Sequence, residues 1–209
     1  MKYNLRLLIL FGRSRQGARL AASILLILVL LMLVPDQLTG VPFRDGVANL
    51  LVVAVSLLPS ASLAVHFHSP MLELERIGAD WRFAALRAVW FFFIALALVC
   101  GAIGIQLFVT VDPAVMWVTC RNILLSMGVA WVAALTMPSA YSWVPGTLFV
   151  GAVWILGTNT ATGDPAIWSV PNYPMDSALA WTISGITFVV AWRGYALLSP
   201  NSPEVRWLA

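Results

Sequence analysis

Between Arg87 and Asp112 this chain carries no charged residue, and it carries none again between Arg121 and Asp164. Runs this long and this apolar constrain the fold more tightly than any motif. A bilayer core about 30 Å thick takes roughly 20 apolar residues as a helix, because a helix satisfies its own backbone groups where no water can. Hydrophobic residues make up 61 % of the 209 and charged ones 10 %, against about a quarter charged in a soluble domain. The expected fold class is all-α, a polytopic membrane protein of six transmembrane helices with little else.

Six spans fit, at about 18–34, 47–65, 88–111, 114–136, 141–158 and 176–198. The uncharged run after Asn122 is too long for one helix, and Met137-Pro138 together with Pro145 divide it. Pro59 is expected to kink the second span near its inner end, since proline removes a helical donor. Residues 1–17 form a basic leader in which Lys2, Arg6 and Arg13 share one helical face and Leu5, Leu8, Ile9 and Phe11 lie mostly on the other. That is the pattern of an N-terminal interfacial amphipathic helix, with an ordinary positively charged leader as the plain alternative. No small-x-small cleavage site follows the apolar stretch Leu20–Val34, so it reads as an uncleaved first span. Residues 199–209 are a short tail.

Ten of the twelve basic residues flank the same ends of these runs, with Arg44 and Arg121 the exceptions. Basic residues are retained on the cytoplasmic face during insertion, which puts both termini in the cytoplasm and the chain in the plasma membrane. The same residues read as contacts to anionic lipid headgroups and not as a nucleic-acid surface. The tryptophans agree: Trp81, Trp143 and Trp192 fall near inner boundaries and Trp117, Trp168 and Trp181 near outer ones, as an aromatic belt requires. Trp90, Trp131 and Trp154 lie deeper and read as packing residues.

Several chemistries lack their residues. Lys2 is the sole lysine, which removes a phosphate-cradling P-loop and a retinal Schiff base. His66 and His68 are two apart, on nearly opposite faces of a helix, a poor metal or haem pair. No acidic residue lies inside a span, where a proton- or sodium-coupled carrier keeps one. Neither a nucleophile elbow nor a His-Glu-x-x-His pair is present. Cys100 and Cys120 sit in apolar runs and read as packing residues, with a disulfide left open. No catalytic residue, cofactor or metal site is expected in this chain.

Three polar features remain. Ser69-Pro70 followed by Glu73 and Glu75 has the grammar of a helix start, and Gly78 provides a stop. A short cytoplasmic helix over 69–80 would offer Met71, Leu72, Glu73, Glu75 and Arg76 to a partner, or would simply connect two spans at the headgroups. The outer loop 159–176, with Pro165, Pro171 and Pro174 among Ile167, Trp168, Val170 and Tyr173, is apolar enough to dip into the leaflet or cap the bundle. Arg121 is the one charge inside a span. Burying it costs roughly 2.5–3.5 kcal/mol, so it is expected to snorkel outward or pair, with a place in a polar pathway as the alternative.

This layout resembles the permease subunits of six-helix, type V ABC exporters. The shared features are a basic amphipathic leader, six spans, a short helix between spans two and three, and an apolar re-entrant-like segment between spans five and six. Glu75-Arg76 followed by Gly78 is similar to the acidic-basic-glycine run of that family's coupling helix, while the minimal loops and the lack of a fused ATPase depart from it. The resemblance implies a separate cytoplasmic ATP-binding subunit, carrying ATP and Mg, that contacts Glu73, Glu75 and Arg76. It also implies a second permease chain, the same or related, completing the path. A membrane scaffold or accessory subunit that could hold a redox or lipid cofactor is the competing expectation.

Overall fold

The fold is known from a computed structural model that describes residues 17–33, 50–68, 81–109, 113–159 and 164–197. Among these residues the protein is all-helical, without a strand, as its apolar runs lead one to expect. The six helices are α1 Gly17–Leu33, α2 Leu50–Leu57, α3 Trp81–Val109, α4 Pro113–Thr136, α5 Trp143–Leu156 and α6 Ala178–Leu197. Two stretches, Ala84–Ile105 of α3 and Val115–Thr136 of α4, are long and apolar enough to cross a membrane.

Proline shapes the second segment. Leu57 ends α2, and Pro59–Ser62 and Ala64–Phe67 continue it as an α turn and a 3-10 turn. Pro59 has no N–H, and the neighbouring backbone compensates. Leu58 N–H bonds to Val55 O at 3.1 Å, and the Ser60 hydroxyl donates to the Leu57 carbonyl at 2.6 Å. The bend at Pro59 is thus a re-routed helix, with its carbonyls still occupied.

Helix α4 is the axis of the bundle. Of its apolar stretch 78 % is buried inside the protein, against 28 % of that of α3, so α3 lies at the periphery. Its most extensive partner is α6. Gly128 meets Thr187 and Gly194 meets Trp131, at distances that admit no further side chain. The two pairings advance together along both helices, so α4 and α6 run parallel and are in near-backbone contact. Helix α3 runs antiparallel to α6. Trp192 donates to Ala88 O at 2.9 Å, and Phe91 stacks against Phe188 and Tyr195 with centroids 5.7 Å apart.

Polarity is distributed inside out. Leu25 and Met32 of α1, Phe93 and Leu107 of α3, and Ile155 of α5 are exposed, whereas Ser56, Arg121, Asn122 and Ser126 are fully buried. Trp131 packs in the core as expected, but Trp154 does not: it is exposed on α5.

Candidate functional site

The segment between α5 and α6 is a strap across one end of the bundle. Pro165, Pro171 and Pro174 prevent it from forming a helix, apart from one 3-10 turn at Val170–Asn172. Proline also deprives it of donors, so its carbonyls need partners from elsewhere. Arg121 of α4 supplies them. Its Nη2 donates to Tyr173 O at 2.9 Å and to Pro171 O at 3.0 Å, and its Nη1 donates to Pro174 O at 3.0 Å. Nε and Nη2 both lie 3.4 Å from Asn122 Oδ1. Only guanidinium presents donors in a rigid fork wide enough for three carbonyls at once.

Outward snorkelling of Arg121 is therefore corrected. The side chain is fully buried, and its partners are neutral dipoles of a segment some fifty residues further along the chain. The insertion-cost argument weighed arginine against lipid, but the competing environment is a strap short of donors.

Around the guanidinium the polar node widens. Asn122 Nδ2 donates to Pro171 O at 3.2 Å and reaches Ser56 Oγ of α2 at 3.3 Å, and Ser56 donates to Val53 O at 2.7 Å. Asn172 of the strap donates to Ser169 Oγ at 2.8 Å and to Val153 O of α5 at 3.3 Å. The node thus joins α2, α4, α5 and the strap. Trp181 closes it at the rim, donating to Met175 O at 2.9 Å and meeting Trp117 edge-on at 6.4 Å. Asn122, Ser56 and Asn172 were not singled out from sequence. The usable signal was an uncharged amide beside the one buried arginine, because amides in apolar helices seek partners on other helices.

The opposite end of the bundle carries a second set of ties. His68 has one ring nitrogen 3.1 Å from Ala64 O and the other 3.2 Å from Met137 O, where α4 breaks before α5. His66, one residue past the expected end of the second span, has Nε2 3.4 Å from Ser23 Oγ of α1. Burial, and then the charge of Arg19, hold its imidazole below the ordinary value of 6.5. Phe67, Phe91 and Tyr195 form a ring cluster, with Phe67 5.3 Å from Phe91 and 5.0 Å from Tyr195. Arg87 is buried and directs Nε (3.1 Å) and Nη2 (2.8 Å) at the Ala196 carbonyl in the last turn of α6. A cation there meets the negative end of the helix dipole. Arg87→Met is expected to cost about 1–2 kcal/mol and to speed amide exchange in the last turn of α6. Exchange of the strap should be unchanged, and unaltered exchange over 193–197 would show that Arg87 does not hold this end.

Among the described residues, no group of three or more His, Cys, Asp or Glu side chains could hold a metal ion. Both cysteines are free thiols, Cys100 exposed and Cys120 buried. The sequence-derived docking residues Met71, Leu72, Glu73, Glu75 and Arg76 lie outside the described residues, as do the leader 1–16 and the tail from residue 198. No protein-family model, curated protein or solved structure matches this chain, so its function has to be read from its own residues and geometry.

Proposed function

We propose that this chain is the membrane-embedded permease subunit of an ABC exporter, driven by a separate ATP-binding subunit. Membrane embedding is supported by the inverted polarity. A bundle that exposes Leu25, Phe93, Leu107 and Ile155 while burying Arg121 and Asn122 suits lipid as its surroundings. In this reading six helices cross the plasma membrane with both termini in the cytoplasm. The end holding His68 and Arg87 is cytoplasmic, and the strap lies on the outside.

The observation that carries the coupling role is how the flanks of residues 69–80 are held. The preceding residues, Phe67 and His68, are tied to Phe91 and to the Met137 carbonyl. On the following side, Arg87 is tied to Ala196 at the end of α6. A displacement of 69–80 would therefore act on the inner ends of α4 and α6. These two helices are in near-backbone contact and lead to Arg121 and to the strap just before α6. Coupling of this kind needs a continuous packed element with two arrangements, and α4 with α6 is that element. ATP and Mg would act on the partner, and Met71, Leu72, Glu73, Glu75 and Arg76 would receive its motion. A second permease chain completes the path, and the few charges inside suit amphipathic or lipid-like cargo.

Glu75→Arg and Arg76→Glu are each expected to lower the amount of co-purified ATPase and transport by about tenfold or more, the size of a lost interfacial charge contact. The melting temperature of the bundle should be unchanged. Unaltered association and transport in both variants would remove the docking role.

A further inference from the structure

An open groove of about 410 Å³ runs between α1, the Pro59 bend and α5, at the end that carries His68. Its walls are apolar: Leu26 and Leu30 from α1, Leu58 and Val65 from the bend, Trp143 and Thr147 from the first turns of α5. One end differs. There Ser23 lies 3.4 Å from His66 Nε2, and Arg19 stands one helical turn before Ser23, near enough for its charge to act on His66. Arg13 and Arg15 precede Arg19 in sequence. The groove is thus an apolar channel with a cationic, hydroxyl-bearing mouth, the complement of an amphiphile with a negative head. Small-ligand sites occupy about 300–1,000 Å³, and a narrow groove at the low end of that range suits one hydrocarbon chain. Anionic headgroups gather where basic residues flank the membrane surface.

We propose that this groove is a binding site for one anionic phospholipid of the surrounding membrane. One acyl chain lies along Leu26, Leu30 and Leu58, and the phosphate is held at the Arg19 and Ser23 end. The lipid would brace the Pro59 bend against α1 and α5, next to the point where the chain leaves the bundle toward residue 69. This inference rests on the membrane reading but not on the identity of any ATPase.

Native mass spectrometry of the full chain released from mild detergent tests it, with phosphatidylglycerol and phosphatidylcholine of identical acyl chains as probes. The wild-type protein is expected to retain one phosphatidylglycerol and to bind phosphatidylcholine about tenfold more weakly. Arg19→Gln should remove that preference and Arg19→Lys should restore it. Thr147→Trp, at an exposed position on the rim, should fill the groove and abolish retention of both lipids. Equal retention of the two lipids by the wild-type protein would overturn the proposal, as would retention indifferent to both Arg19→Gln and Thr147→Trp. If Thr147→Trp instead split a dimer without releasing lipid, the groove would be a contact between two copies and the proposal would fall. Recovery of the chain in the soluble fraction without detergent would defeat the membrane reading itself, a separately visible outcome.

Discussion

Arg121→Lys is expected to destabilise the protein by about 2–3 kcal/mol, at least as much as Arg121→Met, although lysine keeps the charge. The reason lies in which carbonyls lose their donors. Without the guanidinium, Pro171 O still accepts from Asn122 and Pro174 O still accepts from Ser177 N–H, whereas Tyr173 O loses the donor it has from Arg121. A buried carbonyl left without a partner costs about 1–3 kcal/mol. Methionine adds the loss of the remaining charge-assisted bonds but relieves the desolvation of the cation. Lysine keeps a desolvated charge and concentrates its donors at one point, which cannot span Pro171, Tyr173 and Pro174 together. Amide exchange at Ser169 and Asn172 should then accelerate by about 30-fold, the factor that corresponds to roughly 2 kcal/mol of local opening. The thermal transition in detergent should fall in both variants. Lysine behaving like the native arginine would mean that charge alone holds the strap and that the fork geometry is irrelevant.

The contrast between expectation and structure at Arg121 shows where a sequence stops being informative. Helices were readable because an uncharged run is a local property: α4 and α6 occupy the stretches that composition marks out. The bend at Pro59 was readable for the same reason, since a missing donor is a property of one residue. Where the helix itself begins was less readable. The apolar run that α3 contains starts at Ala88, yet the helix starts at Trp81, because Arg82 and Arg87 end a hydrophobic stretch without ending a helix. Arg87 then buries itself against Ala196, far from it in sequence. The polar node was hidden altogether. Arg121 and Asn122 are satisfied by Ser56 and by the strap, about fifty to sixty-five residues away in opposite directions. No periodicity reports a pairing of that kind. What could be read was that an apolar strap rich in proline must be covered by protein. The donor that covers it could not.

Gly146→Ala is expected to cost about 3 kcal/mol, at the upper end for added volume in a packed interior. A β-carbon at Gly146 would come closer than 3.0 Å to the oxygen and carbon of Ser60 and to the nitrogen of Ala61, all backbone atoms of the bend. Backbone cannot swing aside as a side-chain tip can, so α5 and the bend must separate. The Ser60 hydroxyl would then lose its 3.3 Å approach to the Gly146 carbonyl. Gly151 lies on the same helix and supplies the control, because a β-carbon there meets nothing within 4 Å. Gly151→Ala should be neutral or stabilising by up to about 1 kcal/mol, since alanine is the better helix former. Thermal unfolding of both variants in one detergent separates helix propensity from the close approach, and equal transitions would refute it. If the bend transmits motion from residues 69–80, Gly146→Ala should also weaken transport by more than its loss of folded protein explains. A packed α5 is what the bend bears against, and a separated one lets Ser60 and Leu63 shift without moving the rest of the bundle.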